Sequence, residues 1–241
     1  SEIDPGGVGR WTDPVPTDEW LEARVPPDYD GYLVLDWEAG VFDALRGNPG
    51  DTTFAEALDE MIRLARHVAA RRPGARIGFY GLPLTEYWNR GGAWRARSRA
   101  LAPLFAEADA LFPSVYDYYG ERPERDRARF AELVRLSLEL AGEKPVFLYT
   151  YHRYDHAEAP WAFRLIPADE YVDHVSGLLA VEHAGRRPAG VVAWGMEDYY
   201  QRVAFDRSPD GGFAHRGLFW HRVRDAYRSE MLEGEGPAEY R

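Results

Sequence analysis

Cysteine is missing from the chain altogether. That excludes disulfides, thiolate metal sites and a cysteine nucleophile together, and it is compatible with any compartment. The fold must therefore hold by core packing alone. Lysine is almost as scarce: of 29 basic residues only Lys144 is a lysine, a bias that belongs to genomic composition rather than to mechanism. No run of roughly eighteen apolar residues occurs, and the amino-terminal SEIDPGGVGRW lacks a basic stretch followed by an apolar one, so neither a membrane span nor a retained signal peptide is expected. No glycine-rich phosphate loop follows any strand-like segment, which argues against a dinucleotide-binding fold. Positive charge is in deficit as well. A formal net charge of −11 and a pI near 5.1 disfavour nucleic acid or an anionic membrane surface as the main partner, because long-range attraction has the wrong sign.

What is present suits one α/β domain over residues 1–241. With 241 residues and 45% hydrophobic content the chain can bury a substantial core, and residues 232–241 read as a frayed acidic tail. Eight Trp and fifteen Tyr supply rings for packing and for stacking on sugars or bases.

Strand-like runs recur, each followed by a helical pattern. GYLVLDWE (31–38) is followed by a polar loop and by a helix in which Phe54, Leu58, Met61, Ile62, Ala65 and Val68 recur at helical spacing. Thr52 or Thr53 is placed to cap it, and Pro73-Gly74 to stop it. The next strand is 75–83, then a helix within 94–108, then a strand over 110–116 whose Pro113 fits only where no ladder hydrogen bond is needed. A long helix precedes the strand 144–151, a helix over 169–183 precedes the strand 190–197, and a final helix is expected over 217–231. Residues 1–30 show only a short amphipathic piece near Trp20. Repeated strand-helix alternation predicts a parallel sheet with covering helices, here a TIM-like β/α barrel. Five units are too few to close one, so the barrel is expected to be distorted or incomplete, open at an edge or closed by a second copy of the chain in a homo-oligomer.

Tyr32 to Leu35 form a nearly continuous apolar run, the pattern of a strand covered on both faces. The run stops at Asp36-Trp37-Glu38. On an extended strand Asp36 and Glu38 point one way and Trp37 the other, so two carboxylates converge where ligands of parallel α/β sheets bind. The plainer reading is a strand running out into a polar loop. The other strand ends add Tyr80; Tyr116, Asp117 and Tyr118; Tyr149, Tyr151 and His152; and Trp194, Glu197 and Asp198.

An acid pair ringed by Tyr and Trp suits a glycosidase. Carboxyls two residues apart are too close to flank a scissile bond, which in most glycosidases needs a separation of at least roughly 5 Å. The chemistry that fits is substrate assistance, in which the sugar's own 2-acetamido oxygen attacks the anomeric carbon. One acid protonates the leaving oxygen while the other orients and charge-stabilises the acetamido group. Glu38, longer and farther along, is the expected acid.

These residues are carried by motifs that resemble the hyaluronidase family of glycoside hydrolases. VPPDYDGYLVLDWE (25–38) looks like the segment leading into the family's catalytic D-x-E, and GFYGLP, LFPSVY, KPVFLYTYHRY and GVVAWG follow in the same order. The resemblance implies a distorted β/α barrel that cleaves after N-acetylhexosamine, with Glu38 as acid/base, Asp36 positioning the acetamido group, Tyr116 and Tyr149 lining the reacting sugar and Trp194 against its acetamido methyl. Trp37, Tyr80, Tyr118, Tyr151 and Glu197 complete the expected substrate-binding set. The chain departs from the family in its lack of disulfides, in Ala39-Gly40-Val41 after the D-W-E, and in the family's first two barrel strands, which would lie upstream of residue 1.

The expected partner is an oligo- or polysaccharide containing N-acetylhexosamine, met in an extracellular or periplasmic setting, with no cofactor, metal, nucleic acid or membrane. Arg90, Arg95, Arg153 and Arg164 are the candidates for a basic groove along a polyanion, although arginine on a solvated face is the commoner case. His152 and His156 are four apart but read as loop, which disfavours a metal pair. A metal site at Asp36, Glu38 and Asp198 stays open. Ser114 follows proline rather than sitting in a glycine-flanked elbow, so a serine nucleophile is disfavoured. A non-catalytic carbohydrate-binding protein and another D-x-E barrel hydrolase, such as a muramidase, are the alternatives.

Overall fold

The apolar run before the acid pair forms strand β1, Tyr32–Leu35, and pairs in parallel with β2, Arg76–Phe79, so that Leu35 lies opposite Phe79. The computed structural model describes residues 11, 13–86, 90–117, 123–155 and 165–194. The sequence reads as one domain; Cα packing divides the chain into two compact units. The first comprises Ser1–Val115, Ala131–Tyr149 and Val181–Val192, the second Tyr116–Phe130, Thr150–Ala180 and Ala193–Arg241.

Seven helices are defined among the described residues: α1 (Val15–Arg24), α2 (Ala39–Leu45), α3 (Thr52–Arg71), α4 (Gly92–Ala100), α5 (Ala102–Glu107), α6 (Pro123–Ala141) and α7 (Ala168–Leu179). Strands β3 (Phe147–Tyr151) and β4 (Gly190–Trp194) form a second two-stranded sheet. Single parallel bridges, Tyr80 to Phe112, Leu111 to Val146 and Ser114 to Tyr149, connect β2 to the 111–114 segment and that segment to the β3 region. The result is a mixed α/β fold with strands adjacent in chain order, and among the described residues the sheet does not close into a barrel. The 111–114 segment stays at single bridges because Pro113 has no N–H to give, while its carbonyl accepts from Tyr149 N at 3.0 Å.

Helix α3 buries Phe54, Ala57, Met61, Leu64, Ala65 and Val68 at helical spacing and packs against α2, β2 and α5. Each fully covered Met61, Leu64 or Val68 contributes roughly 1.5–3 kcal/mol of burial. Its N-cap is Asp51 rather than either threonine, and it ends at Arg71, just before Pro73-Gly74. The helix expected within 94–108 is broken into α4 and α5, with Pro103 at the start of α5, where its missing N–H costs nothing. Gly78 lies where a Cβ would come within 2.5 Å of Ala110 O and closer still to the Phe112 ring, so the sheet there admits only glycine without repacking.

Basic side chains finish two helices of the first unit. Arg72, 2% exposed, donates to Val25 O at 2.8 Å and Leu21 O at 2.9 Å, closing the end of α1. Lys144, the chain's one lysine, donates to the carbonyls of Phe105, Ala106 and Ala108 at the end of α5. The expected final helix over 217–231 and the tail over 232–241 lie outside the described residues.

Candidate active site

Strand β1 ends at Leu35, and Asp36, Trp37 and Glu38 do not extend it. Glu38 takes up αR geometry (φ −97°, ψ −61°) as the N-cap of α2, and Phe42 N donates to its carbonyl at 3.0 Å. This corrects the expectation of an extended D-W-E followed by a polar loop. The chain turns into a helix because Val41, Phe42 and Leu45 have a core to enter. The three side chains still part company: Asp36 is half-buried, Glu38 exposed, and Trp37 only 2% exposed. An indole so covered offers no face to a sugar, so Trp37 is a packing residue beneath the acids rather than a binding surface.

Next to Asp36 in the first unit stands Tyr149 of β3. Its phenol is pushed up to about 12, first by burial and then by the negative charge of Asp36. Tyr149 is therefore a neutral donor at physiological pH, set beside a carboxylate. Its ring meets that of Tyr80 edge-on, with centroids 4.9 Å apart. Tyr80 is held by backbone and side chain: its N–H donates to Leu35 O at 3.0 Å, and its phenol to Ser114 Oγ at 3.3 Å. Thr85 Oγ1 donates to Ser114 O at 2.7 Å, fastening the loop after β2 to the 111–114 segment. Trp94 Nε1 holds the same loop through Leu84 O at 2.9 Å. Asp36, Tyr80, Ser114 and Tyr149 thus gather at the carboxyl ends of successive strand segments.

In the second unit Tyr116, Tyr151 and Trp194 form an aromatic cluster, with centroid separations of 5.6 Å for Tyr116–Tyr151, 6.0 Å for Tyr116–Trp194 and 4.8 Å for Tyr151–Trp194. Both tyrosines are buried and Trp194 is half-buried. The same unit holds polar pairs: Tyr154 donates to Glu170 Oε1 at 2.9 Å, Tyr171 to Thr150 Oγ1 at 2.7 Å, and Asp155 N to Asp117 O at 2.8 Å. Burial, then the bond to Glu170 and the charges of Glu170 and Asp117, push the Tyr154 phenol far up. His152 and Arg153 are each 0% exposed. Tyr118, Glu197, Asp198, His156 and Arg164 lie outside the described residues. Among the described residues no three His, Asp or Glu side chains gather as metal ligands.

Comparison with solved structures decides the fold. The monoclinic crystal structure of bee venom hyaluronidase matches with a TM-score of 0.66 at 15% identity, over 92% of this chain and 80% of that one. The fold is hyaluronidase-like. The same bee enzyme in complex with a hyaluronic acid tetramer matches with a TM-score of 0.61 at 13% identity, over 95% of this chain and 76% of that one. No family model and no curated protein matches the sequence. Among the described residues no helix is long and apolar enough to cross a membrane.

Reading by strand ends names Asp36, Tyr80 and Tyr149 of the first unit and Tyr116, Tyr151 and Trp194 of the second. It misses Ser114 and Thr85 as the fastening of Tyr80. Their bonds join residues 34 and 29 positions apart, which no local pattern announces.

Proposed function

We propose that the chain is a glycoside hydrolase that cleaves a glycan after an N-acetylated hexosamine by substrate-assisted, retaining catalysis. The observation that carries this reading is that the charge of Asp36 is felt by the half-buried phenol of Tyr149, two residues before an exposed carboxyl, Glu38. Asp36 is half-buried, and Glu38 is exposed where a glycosidic oxygen can reach it.

In the proposed cycle the Tyr149 O–H and the Asp36 carboxylate hold the acetamido group so that its carbonyl oxygen attacks the anomeric carbon. Glu38 gives its proton to the glycosidic oxygen as that bond breaks. The oxazolinium ion so formed carries a positive charge that Asp36 offsets. Glu38, now a carboxylate, takes a proton from water as the water attacks the anomeric carbon and reopens the ring, leaving the configuration retained. Tyr80, braced by Ser114, supplies a sugar-facing ring and hydroxyl. In the second unit the Tyr116, Tyr151 and Trp194 cluster is assigned the apolar face of a sugar; Tyr118 and Glu197 keep the substrate-binding role read from the sequence. Such an enzyme acts where its polymer lies, outside the cytoplasm.

The test is a panel of N-acetylated oligosaccharides with products identified by mass and anomeric form. Cleavage after N-acetylhexosamine with retention is expected. Binding without cleavage would instead select the carbohydrate-binding reading, and cleavage confined to muramyl-containing glycans the muramidase one.

A further inference from the structure

We propose that the site around Asp36 takes a neutral N-acetylated glycan in preference to one bearing uronate carboxylates. This deepens the hydrolase reading above and rests on it for the location of the sugar. Among the described residues, the arginines that could line a groove for a polyanion are engaged or buried. Arg95 of α4 is ion-paired with Glu132 of α6. Arg97, on the same helix, is paired with Glu86 at the end of the loop that carries Thr85. Arg90 donates from Nε to Glu86 O and lies over the Trp94 ring, 5.7 Å from its centroid. Arg153, in the second unit, is 0% exposed. The pattern extends around the first unit, where Arg66 pairs with Glu107, Arg71 with Asp18 and Arg99 with Glu139.

Among the described residues of the first unit, the strand ends carry the hydroxyls of Tyr80, Ser114, Thr85 and Tyr149 and the two acids Asp36 and Glu38. Tyr80, Ser114, Thr85 and Tyr149 can donate to or accept from sugar hydroxyls and amides. Asp36 accepts only, which matches the O–H and N–H donors of an N-acetylated sugar. A uronate carboxylate also accepts only, and it brings like charge toward Asp36. The net charge of −11 works in the same direction at long range.

The experiment compares three oligosaccharides of equal length that all contain a β-1,4 bond after N-acetylglucosamine: one made of N-acetylglucosamine alone, one alternating with glucuronate, and the methyl ester of the second. We expect kcat/KM for the neutral and esterified forms to exceed that for the uronate form by about tenfold at low salt, with the gap narrowing as salt screens the charges. Uronate chains cleaved as well as their ester, or best at low salt, would overturn the proposal. Calorimetric binding to Glu38→Gln separates this from the hydrolase reading. If the parent cleaves nothing, tighter binding of the ester than of the uronate form still supports the charge preference while the hydrolase reading fails; equal or reversed affinities overturn the preference, and no binding at all overturns both. Glu86→Gln, which releases Arg97, should raise the uronate-to-ester ratio several-fold, and an unchanged ratio would count against the proposal.

Discussion

Tyr149 keeps its phenolic proton beside the carboxylate of Asp36, because burial and the neighbouring negative charge both oppose phenolate. The relationship can be read from either partner. Asp36→Asn removes the charge and leaves the burial, so the Tyr149 phenol should fall from about 12 toward, without reaching, the value of a free tyrosine. Titration of ring-labelled tyrosine by NMR measures this without any substrate. An unmoved phenol would show that the two groups are not coupled.

Glu38 is exposed, and its backbone carbonyl accepts from Phe42 N at the start of α2, a bond that a change to Gln leaves in place. Glu38→Gln should lower turnover by about a hundredfold to ten-thousandfold, the usual cost of losing a general acid, in a variant that still folds by thermal denaturation. Near-parental rates would remove Glu38 from the proton-transfer role.

The contrast between these two acids marks how far the sequence could be read. The apolar run Tyr32–Leu35, the spacing within α3 and the order of strand segments were all legible, because each is a local periodicity that burial rewards. The turn of Glu38 into α2 was not. Ala39-Gly40-Val41 carries weak helical preference, and the short helix exists because Val41, Phe42 and Leu45 find partners from elsewhere in the chain. The covering of Trp37 follows from that turn. The engagement of Arg95 was equally hidden, since its partner Glu132 lies 37 residues away on another helix.

Gly78 offers a test of the sheet that positions Tyr80. A Cβ there meets Ala110 O and the Phe112 ring at distances that ordinary contacts do not show. Gly78→Ala should cost about 1–3 kcal/mol, the usual penalty for overpacking a filled interior, read as a lower denaturation midpoint. A neutral effect would mean that the 111–114 segment is free to move away.

Asp18 ties α1 to α3. Hydrogen bonding from Arg71 is the largest cause, with His67 adding at 2.7 Å, and together they hold its carboxyl down to about 2. The depressed value means that the folded chain favours the carboxylate. Its stabilising effect is complete above the ordinary carboxylate value of 3.8 and fades as the pH falls toward about 2. Denaturation of parent and Asp18→Asn across that window should show the parent's advantage shrinking as acid is added. A gap that stays constant or widens would contradict the assignment.

The last prediction separates an acetamido nucleophile from a carboxylate nucleophile. If the acetamido oxygen attacks, the reaction passes through a bicyclic oxazolinium ion whose charge Asp36 offsets. A thiazoline mimic of that ion should then inhibit well, because mimics of high-energy species bind more tightly than substrates. Asp36→Asn should weaken the inhibition and slow turnover together, while binding of distant sugar units changes less. Removing the Tyr149 hydroxyl with Tyr149→Phe should weaken the thiazoline too, since the protonated phenol is the neutral donor beside Asp36. Ser114→Ala, which removes one acceptor of the Tyr80 phenol, should have the smaller effect on inhibition. A 2-fluorinated sugar that leaves a glycosyl ester on Asp36 or Glu38 would exclude the acetamido route, because that ester forms only when a carboxylate attacks the anomeric carbon. An active enzyme that ignores the thiazoline would count against the acetamido route on independent grounds, since Asp36 would then have no developing positive charge to meet.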